Sequence, residues 1–164
     1  MLLTPAQIKR GQRDWSFIVI HHSWSTDNKI VSDWEAIRKY HIETLGWKDI
    51  GYHLGLEYVD NILILRTGRS LEQNGTHTVG FNDKGIGICL IGNYDIQIPA
   101  TEQLSALYEL CKILMQLYDI SPKHIIGHRE SYALLGKSQE KSCPGVLFPL
   151  NSFREKLLTN NFNS

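Results

Sequence analysis

Two runs in this chain have no polar face. Phe17-Ile18-Val19-Ile20 is apolar at every position, and so, allowing for Gly87, is Ile86 to Ile91. A strand with one side in water alternates apolar and polar residues, whereas a strand covered on both sides reads as a continuous apolar run. Both runs are short for helices. They are therefore read as strands inside a sheet with a layer of structure on each face. The first ends abruptly in His21-His22-Ser23, where the chain turns polar.

The rest of the chain supplies the covering layers. Thr101 opens the strongest helix, in which Leu104, Leu107, Tyr108, Cys111, Leu114 and Tyr118 recur at three and four to make one apolar stripe. Ser32-Asp33-Trp34-Glu35 has the form of a capping box and opens a helix that carries Ile37, Tyr40 and Leu45 and stops at Gly46. Tyr52 to Tyr58 and Ile62 to Leu65 are strand-like around the turn-forming Val59-Asp60-Asn61. His124-Ile125-Ile126 is a further short strand before Gly127-His128-Arg129. A polar loop is expected from Ser131 to Lys141 and a last helix from Asn151 to Leu158, while Thr4-Pro5 reads as the cap and first turn of an N-terminal helix. Strands and helices alternate. The expected fold is α/β, a single mixed central β-sheet covered by helices, formed by residues 1–164 as one domain.

Composition narrows the partners. Lys plus Arg and Asp plus Glu number 17 each, so the formal net charge is zero. A nucleic-acid binder working by phosphate neutralisation is visibly basic, so no nucleic-acid partner is expected. No apolar run approaches the ~18 residues of a membrane span, so no membrane insertion is expected. The first ten residues lack the basic and long apolar regions of a signal peptide, and synthesis in the cytoplasm without one is expected. Cys89, Cys111 and Cys143 are odd in number and far apart, which argues against a disulfide framework. Cys89 and Cys111 fall in a core strand and on the apolar stripe, and read as small core residues.

Three residues with metal-ligating side chains stand in related places. His21 ends the first buried strand, His128 ends a later one, and Cys143 sits in the loop beyond it. Strand ends are rigid and meet at one rim of a sheet. Two neutral imidazoles and a thiolate suit a tetrahedral Zn²⁺ with its fourth position open. A histidine at a strand end serves equally as a hydrogen-bonded structural residue, and seven histidines make some such placements inevitable. The residues alone leave both readings open.

Taken in order, several segments resemble a known family. They are Phe17-Ile18-Val19-Ile20-His21-His22-Ser23, Gly51-Tyr52-His53, Gly75-Thr76-His77-Thr78-Val79-Gly80-Phe81-Asn82, and Gly85 to Asn93, followed by Ile126-Gly127-His128 and Lys141-Ser142-Cys143-Pro144. Any one is weak, but the ordered set resembles the zinc-dependent N-acetylmuramoyl-L-alanine amidases of the type 2 family. That family includes the bacteriophage T7 lysozyme type and the peptidoglycan recognition proteins. The resemblance spans residues 15 to 145. It implies that His21, His128 and Cys143 hold one Zn²⁺ per chain. The choice of His21 over His22 comes from the family; alternation along a strand says only that the two point to opposite sides. Tyr52 matches the family's active-site tyrosine, Lys141 the lysine near the zinc in phage-type members, and His77 a histidine of the substrate cleft. Read without the family, Tyr52 is a half-buried strand aromatic, Lys141 a solvated loop cation and His77 a turn residue. His22, His41, His53 and His124 read as structural.

The implied reaction is hydrolysis of the amide joining N-acetylmuramic acid to the L-alanine of the stem peptide. Peptidoglycan is the implied partner and a monomer the expected state. In such an enzyme zinc polarises the carbonyl and acidifies water toward a pKa of ~7. Lys141 and the Tyr52 hydroxyl would then meet the oxygen that becomes negative. No carboxylate base is evident, and Glu130, near His128, reads as a surface or outer residue. The expected setting is a phage-type endolysin, made without a signal peptide and acting on the cell wall after release or export. A recycling amidase and an exported toxin fit the same sequence. The competing reading is a non-catalytic recognition module. The family's recognition branch typically replaces the cysteine ligand, so Cys143 favours catalysis. A regulator of another protein is a third class, on which the residues are silent.

Overall fold

A computed structural model of the chain describes residues 8, 10–27, 32–138 and 141–160; the helix expected at Thr4-Pro5 lies outside them. Five strands form one mixed sheet: β1 (Phe17–His22), β2 (Leu54–Val59), β3 (Ile62–Thr67), β4 (Gly85–Leu90) and β5 (Ile125–Gly127), in the order β3-β2-β4-β1-β5. β1 runs parallel to β4 on one side and β5 on the other, β2 runs parallel to β4, and β3 closes the edge antiparallel to β2. The two runs without a polar face, β1 and β4, thus lie inside the sheet with partners on both sides, as their composition requires.

Alternation along these strands builds two different faces. Ile18 and Ile20 of β1 join Ile86, Ile88 and Leu90 of β4 in the larger core. The helices α2 (Thr101–Tyr118) and α4 (Leu150–Asn160) cover it with Leu107, Leu110, Leu114, Phe153 and Leu157. The opposite face carries two smaller clusters, one of Trp34, Ile50, Cys89 and Ile91, the other of Val19, Phe81 and Ile126. Trp34 comes from α1 (Asp33–Lys39), and α3 (His128–Leu134) follows β5 directly. His21 lies on this second face, level with Cys89 in the β1–β4 register.

Several boundaries differ from the sequence expectation. The first helix changes at Tyr40 into a single wider turn, Tyr40–Thr44, before stopping at Gly46, whose φ is +71°. Tyr52 precedes its strand instead of starting it. Asp60 and Asn61 are the whole turn, both in the left-handed region at φ +51° and +59°, which is the two-residue hairpin that matches strand twist. The stretch from Ser131 opens as helix, because α3 begins at His128 and Glu130 turns back to accept the Gly127 N–H at 3.0 Å. The last helix begins one residue before Asn151 and runs two past Leu158.

Candidate metal centre and cleft

Parallel strands end together, and the loops beyond their carboxyl ends are where α/β sheets place ligands. Here β1 ends at His21 and His22, while β5 hands over to α3 at His128. The loop of Cys143 is laced onto this rim. Arg129 donates its backbone N–H to the Cys143 carbonyl at 2.8 Å, and its guanidinium donates to the carbonyls of Ser142 and Gly145 at 3.2 and 2.7 Å. Asp95, just after β4, accepts from the Ser142 hydroxyl at 2.8 Å and the Val146 N–H at 3.0 Å. Gly127 leaves room for the loop: a Cβ there would meet Pro144 Cδ at 2.7 Å.

The result is a cluster. His21, His128 and Cys143 each offer one ligand atom, and all three atoms lie within 4.8 Å of one another. His21 Nδ1 is 3.6 Å from Cys143 Sγ. A tetrahedral zinc with Zn–N and Zn–S bonds of about 2.0 and 2.3 Å sets such a pair about 3.5 Å apart, so the geometry fits the ion. The protonation states fit as well. Burial, then the neighbouring His77 and His128, hold His21 well below the usual imidazole range. Burial and the Lys141 cation hold His128 at about 4. Both rings are therefore neutral at pH 7, as ligation requires. Without a cation, burial pushes the Cys143 thiol up to about 12, against the pull of the His22 backbone N–H and of Lys141. A divalent cation reverses that balance and takes the thiolate.

The cluster sits in a cleft of about 630 Å³, into which all three ligands open. Tyr52 stands on one wall, its ring centroid 5.2 Å from that of His21. Burial and the nearby sulfurs of Cys89 and Cys143 raise its hydroxyl well above the usual phenol range, so it stays a neutral donor. Lys141 lies at the exposed rim and also lines the cleft. His77 forms part of the floor, next to His21. The structure thus brings together all six residues singled out by the resemblance.

The four histidines read as structural all have partners in the fold, although His22 and His41 also line the cleft. His22 accepts the Tyr94 N–H at 3.1 Å, and His53 is bonded at both nitrogens, to the Gly87 N–H and the Gln73 carbonyl. His124 packs at a tilt against Phe17, with ring centroids 4.7 Å apart. His41 accepts the Gly51 N–H but also faces the cleft beside Trp47. Glu130 is occupied by Arg154 through two contacts of 2.6 and 2.9 Å. Cys89 and Cys111 are fully buried. Sequence reasoning missed Trp24, Trp47 and Asp95, which also line the cleft. Only Trp24 leaves a sign in the sequence, as an aromatic in the polar stretch three residues after a strand-end ligand; the structure shows it exposed, with a φ of +59°.

This sheet, its covering helices and this rim are the architecture of the amidase and peptidoglycan-recognition folds. An endolysin N-acetylmuramoyl-L-alanine amidase from Clostridium intestinale superposes with a TM-score of 0.70 at 26% identity, over 88% of this chain and 84% of that one. The chain belongs to the N-acetylmuramoyl-L-alanine amidase family, whose family model matches residues 11–146. It is 31% identical to peptidoglycan-recognition protein SC2 of Drosophila melanogaster over 136 residues, covering 80% of this chain and 68% of that protein. It is 30% identical to the human N-acetylmuramoyl-L-alanine amidase over 146 residues, 82% of this chain but only 23% of the human protein.

Proposed function

We propose that the chain is a zinc-dependent amidase that hydrolyses the bond between N-acetylmuramic acid and L-alanine in peptidoglycan. The observation that carries this reading is the His21-His128-Cys143 cluster, open to a cleft whose walls present Tyr52 and Lys141. A recognition module needs the cleft but not a complete ligand set, and retention of Cys143 favours the enzyme.

An amide resists hydrolysis because its carbonyl is a poor electrophile and neutral water a poor nucleophile. Zinc, when bound, supplies Lewis acidity toward the carbonyl and acidifies water. The chain's own residues do the rest. Trp24 and Trp47 offer aromatic walls on which sugar or peptide can rest. The neutral Tyr52 hydroxyl can donate a hydrogen bond to the carbonyl oxygen as it gains charge, and the Lys141 ammonium adds a positive field at the rim. In this reading the protein acts as a phage-type endolysin, on the wall after release or export.

The deciding experiment is digestion of purified peptidoglycan with and without a strong chelator, with the products identified by mass. Free stem peptides beginning at L-alanine, lost on chelation, support the assignment. Tight binding of peptidoglycan with no release of peptide would make the chain a recognition module.

A further inference from the structure

His77 lies in a space kept open by glycine. A Cβ on Gly87 of β4 would stand 2.5 Å from His77 Cδ2, and one on Gly75 would stand 2.3 Å from the same atom. Gly87 does not have the backbone conformation that demands glycine, so the missing side chain is there for the ring. Both ring nitrogens are then engaged. Nε2 is 3.0 Å from the Gly85 carbonyl, which can only accept, so Nε2 carries the proton and Nδ1 presents a lone pair.

That lone pair faces His21. His77 Nδ1 is 3.1 Å from His21 Nε2, and the Thr78 hydroxyl completes a triangle with them, 3.1 Å from the first and 3.2 Å from the second. Two lone pairs would repel at this distance, so His21 must carry its proton on Nε2 and donate it into this group. Its Nδ1 is left with the lone pair, on the side of Cys143 Sγ.

Resting on the zinc reading above, we propose that His77 is a positioning residue for the metal. It fixes His21 as the Nε2–H tautomer and aims His21 Nδ1 at the ligand cluster. Histidine ligands usually anchor their second nitrogen on a carboxylate, a carbonyl or water. Here the anchor is a second, neutral imidazole, itself tied to the backbone of β4.

The test is the zinc affinity of metal-free His77→Phe and His77→Asn, measured by competition with a chromophoric chelator. Phe keeps an aromatic ring and removes the acceptor, while Asn places an amide oxygen close to where Nδ1 was. Zinc affinity should fall by roughly 10- to 100-fold in His77→Phe, and Asn should recover most of that loss. Unchanged affinity in His77→Phe overturns the proposal, as does an equal loss in both variants. So does a rise in KM for peptidoglycan with unchanged zinc affinity, which would put His77 on the substrate. A second measurement needs no variant: imidazole ¹⁵N shifts of the zinc-loaded wild type should show His21 protonated at Nε2, and protonation at Nδ1 overturns the proposal. A wild-type chain that binds no zinc sinks the metallo-amidase reading itself. Tight zinc binding with an indifferent His77→Phe sinks only the positioning role.

Discussion

His21 and His22 are adjacent and do opposite work. His21 turns its ring toward His128 and Cys143, while His22 turns its Nδ1 to the Tyr94 N–H and lends only its backbone N–H to the Cys143 sulfur. The sequence shows the strand end, because an apolar run that breaks into polar residues marks a sheet rim. It does not show which ring joins the ligand cluster, since both line the cleft. Tyr52 and Lys141 were legible only as parts of an ordered set of short motifs. Trp47 and Asp95 were not legible at all, because loops set by tertiary packing bring them to the rim. A separable prediction follows for Tyr52 and Lys141, which line the cleft without belonging to the ligand cluster. Tyr52→Phe keeps the ring that packs beside Trp34 and removes the donor. Lys141→Ala removes the cation. Both variants should retain zinc by metal analysis, and their kcat on peptidoglycan should fall by roughly 10²-fold or more. Near-normal turnover in either variant removes that residue from the reaction.

At the scale of elements, α1 shows why local pattern is incomplete. Seven residues are too few for a helix to persist alone, so something outside it must hold its first turn. The capping signature correctly located Ser32, whose hydroxyl accepts the Glu35 N–H at 3.2 Å. The second arm of the cap comes from another element. Glu57 of β2, fully buried, accepts from the Ser32 hydroxyl at 2.8 Å and from the Trp34 N–H at 2.9 Å, and pairs with Arg66 of β3. Glu35 turns instead to Arg38. A glutamate inside a strand pattern carries no local sign of this role. It matters to the site because Trp34 packs against both Cys89 and Tyr52. Glu57→Ala should destabilise the protein by about 3 kcal/mol, the lower end for breaking a buried pair because Arg66 keeps some access to water. Urea unfolding measures it, and a loss indistinguishable from that of an exposed glutamate variant would remove Glu57 as the anchor of α1.

For the whole molecule, the sheet with both faces covered was readable from two apolar runs, but the order β3-β2-β4-β1-β5 was not, because alternation specifies a face and never a neighbour. What the assembled fold adds is a set of histidines that no local pattern shows to be buried. His53 is the clearest, because it stands apart from the ligands. Its Nδ1 accepts the Gly87 N–H at 3.0 Å and its Nε2 faces the Gln73 carbonyl at 3.0 Å, so the ring is neutral and has no room for a second proton. Burial, only partly opposed by the Gln73 carbonyl, holds its pKa down to about 4, against 6.5 for an ordinary imidazole. Above pH 6.5 neither the folded nor the unfolded chain protonates this ring, and it contributes no pH dependence. Between 6.5 and 4 the unfolded chain takes up a proton that the native chain refuses, so stability falls as the pH falls. Below 4 the native ring charges too, and the slope fades. For one group the slope reaches about 1.4 kcal/mol per pH unit. Metal-free protein unfolded by urea at pH values from 7.5 down to 4.5 should therefore lose stability progressively. His53→Gln, which keeps an amide opposite Gln73 but cannot titrate, should start less stable and decline less steeply. Parallel slopes in the two proteins would show that His53 exchanges its proton freely in the folded chain.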